Sequence, residues 1–578
     1  MSKQKLNGGD ILAKCLQKEG ISKVFGIVGG ELLCFFDAIE RWGRDEGIDT
    51  VMVRHEAAGA HAADAWARAT GDIGVCLGTV GPGVTNLVPA VSAANADSIP
   101  MLIIGAQIGR MFEGTWILQG GVDQMAIMKP ITKAQFQVEE PDEIPFAVQN
   151  AIKAAMSGRR GPVFLELRET ALVRDASEDL LKKILDPAQY RPIYRPGGSP
   201  EAIKAAVEVL KTARKPLIIA GGGVNASEAY EELAKFSETY SIPVSTSING
   251  IGSISSDKKT FLDSYLVTSA YRTAAGQTDV VISLGCKWGF YILYGKAPTW
   301  NPDRKIIQID IDPQEIGRNN PVEVAIVGDI KAVLNQLIPE MEKSLPKEKV
   351  TEWNEWNEYV SELRKNDDLE IKQIFEAEKI PMKPERLILE VMDFIPEDAQ
   401  IVLDGGDTTV FSYKFINYKP RPPRSVFYPV TMGHLGVNLP YAIGVQLAKP
   451  DKMVVCITGD GSFMFNIQEL ETAVRLNLPI IVVIANNECW GMIKSGQKGK
   501  FKKRYCDVDF PPIDHVAIAK GFGCHAERVT DPNEIKAALQ RAVDSKKPSV
   551  IDVEIAFETP IATRVIGAYK KNKGLYGK

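Results

Sequence analysis

An acidic residue held between two glycines, followed one supersecondary unit later by paired asparagines, is the most chemically loaded stretch of this sequence. It opens as Gly459-Asp460-Gly461-Ser462 and ends at Asn486-Asn487. The apolar runs Met453–Ile457 and Pro479–Ala485 predict buried parallel strands, with Phe465–Leu476 as the helix between them, which makes a β-α-β unit. Asp460 and Asn487 then fall at the carboxyl ends of neighbouring strands, where ligands gather in open α/β sheets. The groups on offer are a carboxylate, an amide oxygen, loop carbonyls, and the free N–H groups of Gly461, Ser462 and the helix start. Hard oxygens suit Mg²⁺ and helix-start amides suit phosphate, so the spacing predicts one site for Mg²⁺ and a diphosphate together. Gly-Asp-Gly alone is an ordinary turn. The length of the stretch and its continuation into Trp490-Gly491-Met492 are what make it specific.

Positioning such a site takes a large α/β scaffold, and the chain has room for one. Its 578 residues exceed what one core supports, so several domains are expected. From Gly9 to about Leu172, helical patterns alternate with the apolar runs Lys23–Ile27, Thr50–Arg54, Ile73–Thr79, Pro100–Ile104 and Pro162–Leu167. Alternation of this kind predicts a mainly parallel sheet flanked by helices. Strand runs recur at Pro216–Ala220, Pro243–Thr246, Val280–Leu284 and Lys305–Ile311, and again from Gln400–Leu403. The expected organisation is three such α/β domains at 1–186, 187–346 and 381–578, with the charged, Trp-bearing stretch 347–380 as a linker.

Composition limits the setting. With 45% hydrophobic and 24% charged residues the chain reads as a soluble globular protein, and no apolar run reaches the ~18–20 residues of a membrane span. A polar amino terminus gives no signal-peptide core, so a cytoplasmic location is expected. The net charge of −5 offers no basic field for nucleic acid. Eight cysteines without a CxxC pair argue against structural zinc and a disulfide framework. Ala220-Gly221-Gly222-Gly223-Val224 follows a strand but lacks dinucleotide spacing, which disfavours an FAD- or NAD-dependent oxidoreductase.

The Gly459–Asn487 stretch resembles the diphosphate signature of thiamine diphosphate (ThDP) enzymes, and the whole chain resembles their three-domain acetohydroxyacid synthase group. The resemblance implies a pyrimidine-binding first domain, a middle domain and a diphosphate-binding third, with ThDP and Mg²⁺ as cofactors. Val53-Arg54-His55-Glu56 matches the family's strand-then-His-Glu pattern, which gives Glu56 the proton exchanged with the aminopyrimidine. Gly81-Pro82-Gly83-Val84-Thr85-Asn86 resembles the loop near the pyrimidine, placing Gly81 and Asn86 there. Asp407, Thr408 and Thr409, within Asp404–Thr409, have amides and hydroxyls that suit phosphate. Gly433-His434-Leu435-Gly436 matches the G-x-M-G element, whose large apolar residue, here Leu435, wedges beneath the thiazolium. By position the metal shell is Asp460, Asn487 and the backbone carbonyl of Cys489, with Gly459, Gly461, Ser462, Trp490, Gly491 and Met492 around the cofactor. Since Glu56 and Asp460 lie on different domains, the resemblance implies a homodimer or homotetramer with each site at a subunit interface. Intact Glu56, Asp460 and Asn487 disfavour a non-catalytic module of the same fold.

Within the family the reaction is read from what surrounds the cofactor. All members make or break a bond beside a carbonyl through the thiazolium C2 carbanion. Where acetohydroxyacid synthases carry an Arg-Phe-Asp-Asp-Arg element, this chain has Gly285-Cys286-Lys287-Trp288-Gly289-Phe290-Tyr291, which weakens the expectation of acetolactate synthesis. Leu118-Gln119-Gly120-Gly121-Val122-Asp123-Gln124 resembles benzaldehyde lyase, whose matching glutamine contacts the reacting hydroxyl. Glu31 stands where that relative has histidine, and Trp490 and Met492 join Glu31 and Gln119 on the substrate side. Asp404–Thr409 and Ile307–Pro313 look like 2-hydroxyacyl-CoA lyase and oxalyl-CoA decarboxylase, and the basic residues Lys498–Arg504 and Tyr569–Lys573 could meet CoA phosphates. The expectation is a lyase, carboligase or decarboxylase acting on 2-hydroxy ketones or 2-keto acids. A CoA-ester lyase and an acetolactate synthase-like transferase are the alternatives.

Overall fold

A computed structural model describes residues 5–560 apart from 193 and 265, and only the backbone of 365–369. The basic tail segment Tyr569–Lys573 therefore lies outside the described residues.

Each series of apolar runs becomes a parallel sheet. The first has six strands in the spatial order Asp49–Met52, Lys23–Gly26, Gly74–Gly78, Met101–Gln107, Pro162–Arg168 and Ala134–Val138, all parallel. The second has five parallel strands in the order Val324–Val327, Lys305–Asp310, Val280–Leu284, Pro216–Ala220 and Val244–Thr246. The third runs Val426–Phe427, Gln400–Leu403, Val454–Gly459, Ile481–Asn486, Ser549–Glu554 and His525–Val529, with parallel register from Gln400–Leu403 onward. Helices return the chain between parallel strands, so each sheet is buried on both faces and its central strands read as continuous apolar runs. Gly459 pairs with Ala485, which sets the ends of the two site-bearing strands side by side.

The chain forms two compact units. One holds the first sheet together with residues 427–451 and 465–480, and the other holds the second and third sheets, 194–426, 452–464 and 481 onward. The segment expected as a single third domain is thus shared between them. The cause is the helix Asn438–Ala448, which packs on the alanine-rich helix Glu56–Thr70 of the first unit. Gly444 permits that approach, since a Cβ there would lie 2.2 Å from the Ala62 carbonyl oxygen. The Tyr441 hydroxyl also donates to Asp64, a fully buried carboxylate paired with Arg68.

The stretch 347–380 is not a free linker. It is helical over Lys347–Glu362 and Lys365–Phe375. Trp353 and Trp356, one turn apart, form an apolar stripe on an otherwise charged helix and are buried against the middle sheet's domain. Their Nε1 groups donate to the Ala213 and Pro216 carbonyls at 3.0 and 3.1 Å. Among the described residues no helix is long and apolar enough to cross a membrane.

Candidate active site

The first unit gathers one set of the expected residues. The chain leaves the edge strand Asp49–Met52 and enters the helix Glu56–Thr70 through His55, whose Nδ1 accepts from the Ala57 N–H at 3.2 Å and caps the helix. Glu56 is the first helical residue, and Asn86 Nδ2 donates to its Oε2 at 3.0 Å. Asn86 sits in the helix Pro82–Asp97, entered through Gly81 at φ 70°, a left-handed conformation that favours glycine. Glu31 lies beside the same loop and accepts from Thr79 Oγ1 at 2.5 Å. Gln119 is exposed with φ 62°, and its carbonyl closes on Gly81, where a Cβ would sit 2.5 Å from that oxygen. Gly433, at φ 57°, and half-buried Leu435 also belong to this unit. Around them His434 Nδ1 is 2.7 Å from the Leu435 carbonyl oxygen, and Asn466 Nδ2 donates to the Gly436 carbonyl at 2.6 Å.

The second unit gathers the others at the carboxyl ends of its strands. Asp407, Thr408 and Thr409 begin the helix Asp407–Phe415, just past Gln400–Leu403. Asp460 follows Val454–Gly459 directly, and Asn487 follows Ile481–Asn486. Between the Asp460 turn and the next strand the helix covers Glu469–Arg475, shorter than the sequence implies. The glycines are what let these groups approach so closely. A Cβ on Gly491 would lie 1.8 Å from Asp407 Oδ2 and 3.1 Å from Asn487 Nδ2, and one on Gly461 would strike Trp490 and Phe510 at 2.7 and 2.9 Å. Trp490 and Phe510 meet edge to face, 5.0 Å between centroids. Gly406 opposes Met492 in the same way, at 3.1 Å.

Both carboxyls here are buried, and burial disfavours their charged forms. Desolvation pushes Asp407 up to about 6, against the lowering by the Thr408 N–H and the Asn487 amide. Asp460 is pushed up to about 7 by desolvation, with Asp407 adding to the rise while the Gly461 N–H and His515 oppose it. Asp407 Oδ2 and Thr409 Oγ1 are buried without a hydrogen bond among the described residues. Asn487 Oδ1 accepts from the Cys489 N–H at 3.2 Å and the Cys489 thiol at 3.3 Å. No group of three or more His, Cys, Asp or Glu side chains is placed to hold a metal among the described residues. A cation here would have to combine a carboxylate with amide and carbonyl oxygens.

Three family models match the chain in order. They are the thiamine pyrophosphate enzyme N-terminal TPP binding domain over residues 6–127, the central domain over 203–337, and the C-terminal TPP binding domain over 404–553. The probable acetolactate synthase large subunit of Methanococcus aeolicus is 36% identical over 566 residues, spanning 95% of this chain and 92% of the relative. The probable acetolactate synthase large subunit of Methanocaldococcus jannaschii is 35% identical, with the same two shares. The isozyme 2 large subunit of Escherichia coli acetolactate synthase is 31% identical over 556 residues, 95% and 96% of the two chains. This chain belongs to the thiamine pyrophosphate enzyme family.

As a ThDP enzyme of the acetohydroxyacid synthase group, the protein can be tested for fit to its cofactor. The second-unit residues fit. A space that a single methyl at Gly491 would fill, an unbonded Thr409 hydroxyl and two buried carboxylates without an ion-pair partner among the described residues suit a diphosphate and a cation. Three supporting groups have no role assigned to them by the sequence. Glu469 accepts from the Arg54 N–H at 3.0 Å and from Thr472 Oγ1 at 2.7 Å, which fixes the turn before Glu56. Buried His515, 3.3 Å from Asp552 Oδ2 through Nδ1, acts electrostatically on Asp460. Gln124, five residues past Gln119, accepts from the Gly81 N–H through Oε1 at 2.8 Å. A second glutamine in the Leu118–Gln124 stretch was the available signal for the last of these.

Proposed function

We propose that the protein is a ThDP- and Mg²⁺-dependent carboligase that takes an acyl unit from a 2-keto acid, with release of CO₂, and joins it to a second carbonyl compound. The observation that carries this reading is the Asp407–Gly491–Asn487 cluster, in which a buried carboxyl approaches the backbone as closely as only glycine permits. Asp460, Asn487 Oδ1 and the Cys489 carbonyl would hold Mg²⁺, the cation displacing the weak thiol donor from Asn487. Asp407, Thr408, Thr409, Gly459, Gly461, Ser462 and Gly491 surround the diphosphate, and Gly81, Gly433 and Leu435 shape the pyrimidine and thiazolium sides. When bound, the cofactor supplies an electron sink for bond changes beside a carbonyl. Glu56, oriented by Asn86, holds the proton exchanged with the pyrimidine ring. Glu31, Gln119, Trp490 and Met492 face the substrate. The working form is a homo-oligomer, at least a dimer, in which Glu56 of one subunit serves the Asp460 site of another, in a cytoplasmic setting.

The acetolactate synthase relatives support acetolactate formation as the first reaction to try. One feature supports a less charged acceptor. Where the group's arginine element would stand, Tyr291 packs edge to face on Tyr413, 5.7 Å away, on the helix that Asp407 begins. Product analysis by NMR after incubation with pyruvate alone, pyruvate plus an aldehyde, an acyloin, and a 2-hydroxyacyl-CoA tests the reading. Carboligation from pyruvate is expected. Turnover of the CoA ester alone would replace this proposal with the acyl-CoA lyase reading.

A further inference from the structure

A buried polar chain inside the first unit ends on the loop that carries the pyrimidine-facing residues. Glu166 is 1% exposed on the strand Pro162–Arg168. Three side-chain amides donate to it: Gln137 to Oε1 at 2.8 Å, and Gln124 and Gln107 to Oε2 at 2.9 and 3.3 Å. Gln124, fully buried, donates a second time from the same Nε2 to the Ala106 carbonyl at 2.9 Å. Its other end, Oε1, accepts from the Gly81 N–H at 2.8 Å. A carboxylate and a carbonyl accept and do not donate, so the Nε2 end of Gln124 must face them, and its oxygen is thereby fixed on Gly81.

Gly81 is where that fixation acts. It stands at φ 70° and touches the Gln119 carbonyl from the other side. Its own carbonyl accepts from the Thr85 N–H at 3.0 Å in the turn that leads to Asn86. From Gly81 the chain enters the helix Pro82–Asp97 and reaches Asn86, the donor to Glu56. We infer that Gln124 is a positioning residue for the pyrimidine-facing loop, and that Glu166 sets the direction of its amide. Gln124 thus links the place of the Gln119 loop to the place of Asn86, so substrate-side and proton-side groups are held in one register. The inference rests on the assignment of Glu56 above for its catalytic consequence, and on the family alone for its effect on cofactor binding.

The test uses the full-length protein with Gln124→Met and Glu166→Gln, and Gln137→Met as a control that loosens Glu166 without touching Gly81. Hydrogen–deuterium exchange of the cofactor-free protein reads the loop directly. Amides of residues 81–86 should exchange about tenfold or more faster in Q124M and E166Q, the loss of roughly one hydrogen bond, while Q137M leaves them unchanged. Calorimetric titration with ThDP and Mg²⁺ should show affinity about tenfold weaker in the first two variants, by the same single bond. Exchange at the cofactor's C2–H should slow in parallel. Unchanged exchange over 81–86 and unchanged ThDP affinity in Q124M, with only a lower Tm, would overturn the inference and leave a purely structural role. If Q124M does not fold, the same readings on E166Q decide it. A normal loop in E56Q together with slow C2–H exchange separates failure of this inference from failure of the Glu56 assignment.

Discussion

Asn86 and Glu56, thirty residues apart in sequence, meet through a 3.0 Å hydrogen bond in which the amide donates to the carboxyl. Two motifs that the sequence leaves independent are thereby one structural element, a helix-start acid held by the loop beside it. The consequence is kinetic. Glu56→Gln keeps the side chain's size and can still meet Asn86, but it has no proton to transfer. ThDP should bind near wild-type strength, while C2–H exchange, followed by NMR in D₂O, should slow about 100-fold or more. Asn86→Ala should slow it less, by about tenfold, through loss of one orienting bond. Equal exchange rates in E56Q and wild type would assign ring activation to another group.

Gly491 tests the cluster by adding one methyl group. A Cβ there would lie 1.8 Å from Asp407 Oδ2, closer than any van der Waals contact, so Gly491→Ala must push the carboxylate into the space the cofactor needs. The variant should fold, as judged by circular dichroism, and lose measurable ThDP binding in calorimetry. Retained affinity would move the diphosphate away from this loop.

The ligand set can be checked by removal. Asp460→Ala and Asn487→Ala each leave the diphosphate charge poorly compensated, and both should abolish ThDP retention through gel filtration with Mg²⁺ present. Treating the wild type with a chelator should have the same effect, reversed on adding Mg²⁺. A chelator-treated enzyme that keeps its ThDP would sink the metal assignment.

These sites were legible because their chemistry sits at the ends of strongly apolar central strands, such as Val454–Gly459 and Ile481–Asn486, flanked by glycines whose small size is required. Less legible were edge strands. Ala134–Val138 and His525–Val529 are only partly buried and carry Gln, Glu and Arg, so they lack the apolar run that marks a central parallel strand, while Val324–Val327 is apolar but only four residues long with alternate residues exposed. The Trp353–Trp356 pair hid in a charged helix for the converse reason: two large side chains on one face suffice to dock it. Glu166, Glu469 and the His515–Asp552 pair were invisible, and Gln124 stood in a motif without a role, since a polar residue acquires its role only from what tertiary packing sets opposite it. The sharing of residues 427–451 with the first unit follows from Gly444, whose missing side chain says nothing until Ala62 is known to face it.

Gln119 is exposed, its backbone lies in the left-handed region, and its carbonyl lies close to Gly81. A non-glycine residue kept in that conformation by its neighbours is a frequent mark of a functional position. If its amide meets the reacting hydroxyl, Gln119→Ala should lower kcat/KM about 10–100-fold with ThDP affinity unchanged, the cost of one or two hydrogen bonds. Kinetics within about twofold of wild type would place the side chain outside the pocket.

The basic segment Lys498–Arg504 separates a small-molecule acceptor from a CoA ester. It spans the last turn of the helix Gly491–Lys500 and the residues after it, and Lys500, Lys502 and Lys503 are exposed, the last two in left-handed backbone at φ 53° and 63°. Lys494, further in, is already committed to Asp509 and to the ring of Phe557, so the outer lysines are the ones a phosphate could reach. Attraction between exposed charges is screened within ~8–10 Å at physiological ionic strength, so a CoA ester held there should show a KM that rises with salt. For the proposed carboligase the substrate is small and the segment plays no part in binding it. Reversing Lys500, Lys502 and Lys503 to Glu should then leave kcat and KM for pyruvate within about twofold, at low and high salt alike, because solvent-exposed charges contribute little at a distance. A several-fold rise in KM for an acyl-CoA substrate in the same variant, abolished by salt, would instead show that this segment receives the phosphates, and the enzyme would then be a CoA-ester lyase.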